Sequence, residues 1–371
     1  QGHALTLSLL GRYLALAYEG DIRCRDQIDF QQANAQFRNG HAFKVMAAYE
    51  TWFTREGEEG KRELAALRLL GLFDRPAAPE SLAALRQSPV IDGLTEPLVE
   101  LSPAQWRICL KRLEECGLVY PSAEGETLDA HPLVREYLAR SLSEQRPEAW
   151  RQGHRRIYEQ LKESVPDRPD GLEGLQPLYQ AMAHGCLAGL QQEVCEEVYD
   201  DRIGRGKEAY AVKKFGAFGA DLGAVACLFE RPWDRPASSL AEGDQAWLLS
   251  VAAFNLRALG RLEEALEPMR AAAEMAVQQE NWKSAAARYS NLSELQLTLG
   301  RVGDAVADAG QAVEHADRSG DEFWCMGTRT TLADALHQHG EFEGAADRFE
   351  EAERIQAQRQ AGYPLLYSLP G

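Results

Sequence analysis

"LRALGRLEEA" (256–265), "LTLGRVGDA" (297–305) and "LHQHGEFEGA" (336–345) are variations on one phrase, set forty residues apart. In that register Gly260, Gly300 and Gly340 coincide, and so do Ala265, Ala305 and Ala345. Ala272, Ala312 and Ala352 repeat the interval downstream, and Ala253, Ser293 and Ala333 repeat it upstream of the glycine. A glycine at a fixed place marks a helix end that turns through positive φ, where a Cβ is strained. Small residues at fixed places mark helix faces that lie close together. The unit is therefore two helices joined by a Gly turn, 244–259 with 262–278 in the first case. A pair this small cannot bury its apolar faces alone, so neighbouring pairs must stack. The units run over 245–280, 281–320 and 321–360. The expected fold class is mainly α, ending in an α-solenoid.

Upstream the texture changes. "HALTLSLLGRYLALAY" (3–18) is apolar around most of its circumference, which predicts a buried helix. Helices are expected at 41–55 and 59–72, the second stopped near Gly71 and the Arg-Pro of "FDRPAAP". A short helix near 79–87 precedes "ELSPAQWRICLKRLEECGLVY" (100–120). There Ser102 suits the N-cap, Pro103 the first helical position and Gly117 the position after the last turn. "LVY" (118–120), a Pro-Ser-Ala-Glu-Gly turn and "ETLDA" (126–130) read as a short hairpin, and a helix follows from His131-Pro132. Helix, helix, hairpin, helix is a winged-helix plan. A charged helix (144–164) and a Pro-rich loop (165–174) lead to helices near 175–188, 190–202, 207–215 and 218–229, which keep no strict period. "ERPWDRPASS" (230–239) reads as an interrupting loop.

The formal net charge of −17 sets most of the surface against a phosphate backbone. Locally the balance is the same: residues 91–142 hold five basic residues against nine acidic, a net of −4. Arg107, Lys111 and Arg112 share a helix with Glu114 and Glu115, so this module reads as a packing domain rather than a DNA reader. The composition favours a protein or peptide partner over nucleic acid. Seven scattered cysteines without a C-x-x-C pair suggest neither a zinc site nor a disulfide framework, which points to a reducing cytoplasm. No uncharged apolar run reaches the roughly 18 residues of a membrane span. The chain opens on Gln-Gly-His and closes on "YPLLYSLPG", and both ends read as cuts through a longer protein.

The forty-residue unit resembles a tetratricopeptide repeat in its long form. Gly260, Gly300 and Gly340 match that family's turn Gly, and the alanines its small residues. Asn281-Trp282 and Phe323-Trp324 sit near the starts of units, where the family often places aromatics. The N-terminal third is similar to another family. "GHALTLSLLGRYL" (2–14) resembles the Gly-Leu-Pro-Leu-Ala-Leu helix that opens the helical subdomain of signal-transducing STAND NTPases of the NB-ARC and NACHT type, a group that includes bacterial defence proteins. "LRLLGLFDRPA" (67–77) and "DAHPLVREYLA" (129–139) resemble the two ends of their winged-helix subdomain. His131 stands at the His of the Met-His-Asp motif, so the resemblance implies contact with the β-phosphate of ADP. Gly2 carries over as the second cofactor-binding position, whereas Ala4 and Pro132 depart from the family's Pro and Asp. The resemblances divide the chain into 1–73 (helical subdomain of a STAND module), 74–142 (winged helix), 143–240 (degenerate helical repeats) and 241–371 (tetratricopeptide repeats).

No G-x-x-x-x-G-K-[ST] occurs, and "GRGKEA" (204–209) follows no strand and lacks the Ser/Thr. The chain itself is therefore expected to be non-catalytic and without a cofactor, with ADP or ATP and Mg²⁺ bound only by the intact protein. His337 and His339, two apart on a helix, point to different faces and do not make a metal site. If first helices line the solenoid's concave face, as the resemblance implies, Arg257, Asn291, Glu294, Asp334 and His337 form its partner groove. The function expected is a sensor and scaffold. A partner on the repeats releases the winged helix from ADP and permits self-oligomerisation. Two alternatives stand beside it: a STAND-type transcription regulator that contacts DNA, and a passive repeat scaffold.

Overall fold

The computed structural model describes residues 2–27, 40–121 and 127–359. Residues 122–126, which include most of the expected hairpin turn, and those beyond 359 lie outside the described residues. The chain forms two compact units. The first comprises Gln1–Pro166 with His184–Leu190, and the second Asp167–Ala183 with Gln191–Gly371.

In the first unit α1 (Gly2–Ala17), α2 (Gly40–Arg55) and α3 (Gly57–Leu69) precede α4 (Pro79–Leu85) and α5 (Pro103–Glu115). A two-stranded antiparallel hairpin, β1 (Tyr120–Pro121) with β2 (Leu128–Asp129), leads to α6 (Pro132–Gln145) and α7 (Pro147–Glu163). Ser102 and Gln105 form a reciprocal capping box at the start of α5, with Pro103 as the first helical residue. Gly117 turns the helix off at φ +69°. Ala77 exchanges backbone hydrogen bonds with Leu128, at 2.8 and 3.1 Å, so the hairpin is bridged on its other edge.

The core of this unit gathers around Tyr49 and Phe53 of α2, with Leu67, Leu69 and Leu70. The Tyr49 hydroxyl lies 3.1 Å from the Leu9 carbonyl and 3.3 Å from that of Cys116, tying α1 and the end of α5 to α2. Glu50 accepts from the Tyr137 hydroxyl at 2.9 Å and pairs with Arg68 at 3.3 Å, joining α2, α3 and α6. Gly71 is required by close approach: a Cβ there would sit 2.7 Å from the Ala139 nitrogen.

One expectation is corrected here: α1 is apolar around most of its circumference but buries one face only, since Leu9, Tyr13 and Leu14 are covered while Leu7 is 68% exposed and Leu16 46%. The charged helix, placed by sequence at the start of the 143–240 segment, is α7 and falls within the first compact unit. Its Ala149, Gly153 and Ile157 are buried, and Gly153 admits the Leu72 and Leu94 side chains so closely that a Cβ would lie 2.8 Å from Leu72. On the same helix His154 is buried and its Nδ1 lies 2.8 Å from Nδ1 of His184. One imidazole must donate and the other accept, so the accepting ring is neutral and the two cannot both be protonated in this contact. Burial and the neighbouring imidazole pull His154 down to about 3, and burial brings His184 to about 4.

The second unit begins within α8 (Gly171–Leu187). α9 (Gln191–Glu193) then widens into a π-helical stretch, Val194–Gly204, where the sequence suggests an ordinary helix. Its buried positions 194, 195, 198, 199, 202 and 203 recur every four residues, so one side of the widened helix faces the core. Next come α10 (Tyr210–Phe215), α11 (Phe218–Val225) and a second hairpin, β3 (Phe229–Arg231) with β4 (Arg235–Pro236), where a loop is expected from the sequence.

The regular array follows as α12 (Glu242–Ala258), α13 (Leu262–Gln278), α14 (Trp282–Thr298), α15 (Val302–Ser319), α16 (Glu322–His339) and α17 (Phe342–Arg359). Each helix packs on the next, and α14 packs also on α16, which is the stacking of an all-α solenoid. Ala265, Ala305, Ala272, Ala312 and Ala352 are wholly or almost wholly buried. Ser293 donates to the Ala305 carbonyl at 2.8 Å, so the small residue of a first helix touches that of its second. The chain turns through positive φ every twenty residues, at Gly260, Glu280, Gly300, Gly320 and Gly340. Four of these turns share one pattern, in which the turn residue donates three positions back and its successor five positions back. At Gly320 the pattern yields, because the Ala316 carbonyl accepts from the Ser319 hydroxyl instead.

Candidate functional site

Ser250, Ala253, Phe254 and Arg257 lie at i, i+3, i+4 and i+7 on α12 and so form one stripe. That stripe faces Arg288 and Asn291, which share a face of α14, and Met269 and Ala272 of α13; together they enclose a cavity of about 270 Å³. Phe254 is half exposed at its edge. The Arg288 guanidinium is fixed from behind, donating to the Ala272 carbonyl at 2.8 Å, and its burial lowers its pKa. Arg257 is held more loosely by Glu294 at 3.3 Å. The result is a pocket with two cations, an amide and an apolar floor, in a chain whose net charge is strongly negative. A guanidinium offers its donors in a fixed fork that matches a carboxylate. The chemistry available is recognition of an anionic group with an apolar neighbour.

Of the five groove residues expected from the sequence, the structure brings Arg257, Asn291 and Glu294 together. Asp334 and His337 line no part of this cavity. His337 instead meets the Phe342 ring edge-on at 5.3 Å, and His339 pairs with Glu341 at 2.8 Å, so the two histidines serve different neighbours. Among the described residues no three His, Cys, Asp or Glu side chains converge as a metal site. His131 is the N-cap of α6 and spends Nδ1 accepting from the Leu133 N–H at 3.2 Å, which leaves Nε2 as its outward nitrogen. Gly2 heads α1. The sequence reading missed Arg288, Met269 and Phe254. The signal for Arg288 was its spacing, three residues before Asn291 on the same helix.

Fold and site define a mainly α chain whose second unit ends in a helical-hairpin solenoid with a cationic pocket at its first repeat. No family model and no curated protein matches it. Among solved structures, the nearly identical TPR-like repeats of Podosopora anserina, named as a kinesin light chain, align at 16% identity and a TM-score of 0.33, covering 60% of this chain and 93% of that one. A signal transduction ATPase with numerous domains (STAND) from Pyrococcus horikoshii, carrying a tetratricopeptide repeat sensor, aligns at 16% identity and a TM-score of 0.29. That alignment covers 86% of this chain, which spans about half (54%) of the STAND protein. Among the described residues no helix is long and apolar enough to cross a membrane.

Proposed function

We propose that the solenoid captures a carboxylate-bearing segment of a protein partner in the pocket between α12 and α14, as the sensor of a STAND-type switch. The observation that carries this reading is the convergence of Arg257, Arg288 and Asn291 on one cavity floored by Met269. A peptide's terminal carboxylate would take the two guanidinium forks, and its last side chain the space beside Phe254. The first unit, with its helix–helix–hairpin–helix order, is the winged-helix relay. His131 Nε2 is the atom that would meet a diphosphate in the intact protein. Coupling of the two requires the partner to prefer one nucleotide state, and nucleotide must then alter partner affinity by the same factor.

The test is fluorescence polarisation with a library of labelled peptides, each made with a free C-terminus and as its carboxamide. Selective binding of free carboxylates, lost about tenfold or more in both Arg257→Ala and Arg288→Ala, supports the reading, since a charge-assisted pair contributes about 1.5–3 kcal/mol. Equal binding of acid and amide forms refutes it. For the relay, ADP extracted with acid from the protein carrying its own phosphate loop should fall in His131→Ala. Unchanged ADP content would remove His131 from the switch.

A further inference from the structure

The π-helical stretch, α10, α11 and α12 enclose a second cavity, of about 210 Å³, whose lining differs in kind from the first. Its polar base is a buried triad. Asp221, 3% exposed, accepts on one carboxylate oxygen from the Tyr199 hydroxyl at 2.9 Å and from the Asn255 amide at 2.7 Å. That second bond fixes the amide: Nδ2 faces the carboxylate and Oδ1 faces away. Asn255 is 1% exposed, it lines the cavity, and its Oδ1 has no hydrogen-bond partner. A buried acceptor without a partner is costly and uncommon in a folded protein.

The repeat register shows how unusual this residue is. Forty residues on, the equivalent positions are Leu295 and Ala335, both completely buried and both apolar. At this register position the second and third repeats carry hydrocarbon, and the first carries an amide bonded to a buried carboxylate at the cavity wall. The walls complete the pattern. Two carboxylates, Asp221 and Asp200, and the rings of Tyr199, Trp247 and Phe254 line the space, and no Lys or Arg does. Burial raises the pKa of both carboxyls, and Asp201 and Asp244 add to this at Asp200, so a bound cation would be favoured by the charge it neutralises.

We propose that this cavity is a binding site for a small organic ammonium ion with an apolar body. Its N–H donors go to the Asp221 carboxylate, which Asn255 and Tyr199 hold in place at the cavity wall. Its hydrocarbon lies against Val251 and Trp247, with the aromatic faces adding cation–π attraction. A cavity of about 150 Å³ takes benzene, so this one suits a ligand of roughly eight or nine heavy atoms. The inference does not depend on the carboxylate pocket, which presents the opposite charge.

The experiment is calorimetric titration of the full chain with phenethylammonium, beside 2-phenylethanol and 3-phenylpropionate as neutral and anionic counterparts of similar size. Saturable binding of the amine is expected, with both counterparts weaker by about tenfold or more. Asn255→Leu, which installs the residue of the second repeat, and Asp221→Asn should each abolish that preference. Because both alter a buried network, Val251→Trp fills the cavity from its wall and should block the amine without touching the triad. Arg257→Ala should leave amine binding unchanged, which separates this site from the neighbouring one. No saturation by the amine, equal affinity for the alcohol, or undiminished binding in Val251→Trp overturns the proposal.

Discussion

Acidification should loosen the first unit through two histidines, and the size of the effect follows from their burial. His154 and His184 are buried, in contact through their Nδ1 atoms, and brought down from an ordinary 6.5 to about 3 and about 4. A histidine whose folded pKa is depressed binds fewer protons folded than unfolded. Its stabilising contribution is therefore complete above 6.5 and is lost as pH falls from there toward the folded values. Between about pH 7.5 and 5 each ring should cost about 2 kcal/mol, so the pair about 4 kcal/mol, at 1.36 kcal/mol per unit of pKa. Glu63 works in the opposite direction. Burial raises its carboxyl to about 7 against the pull of Arg112 at 2.8 Å, so it takes up its proton in the folded state first and gains stability over the same interval. The wild-type profile alone is thus a difference of opposing effects. The clean readout is the double variant His154→Leu/His184→Leu, which keeps Glu63. Hydrogen exchange of peptides from α7 gives the opening free energy of both proteins at the two pH values. Wild type should lose about 4 kcal/mol more than the variant. A difference below about 1 kcal/mol would refute the neutral buried pair.

The turns offer a reciprocal pair of changes. Glu280 holds φ +54° where the other turns of the array hold glycine, and it is exposed, so Glu280→Gly should raise stability in urea by about 0.5–1 kcal/mol. Gly300→Ala, at φ +74° with open space around its Cβ, should lower stability by about 1 kcal/mol through the backbone alone. If both changes are neutral, the left-handed turns are not what ends these helices. Ala305→Leu forces a larger side chain into a wholly buried contact between α14 and α15, and should cost about 1–3 kcal/mol by the same measurement. Retained stability there would mean that close helix approach is not what the recurring alanines serve.

The array was legible because its physics is periodic. Gly260, Gly300 and Gly340 must turn through positive φ and Ala265, Ala305 and Ala345 must admit a neighbour, so the constraint is written three times in the residues themselves. The capping box at Ser102 is equally local, since its donors and acceptors lie within three residues. What could not be read depends on partners far away in sequence. The widened helix at 194–204 has no local signature that separates it from an α-helix. The same holds for α7, a charged helix by sequence, whose Gly153 shows its purpose only once Leu72 is seen against it.

The candidate sites divide along that line. Arg257, Asn291 and Glu294 could be proposed from the repeat, because equivalent positions on successive first helices share a face. Arg288 was within reach by its spacing from Asn291. Asp334 and His337, from the third repeat, do not line this cavity, because equivalence between repeats predicts a shared face and not a shared cavity. Asn255 carried its own signal and it was negative: a residue that breaks the rule its equivalents keep. Leu295 and Ala335 are the hydrocarbon equivalents of Asn255. Gln296, buried where the first and third repeats have Leu256 and Leu336, is a second polar exception. It is therefore the cavity and the Asp221 carboxylate beside Asn255, and not the exception alone, that point to binding.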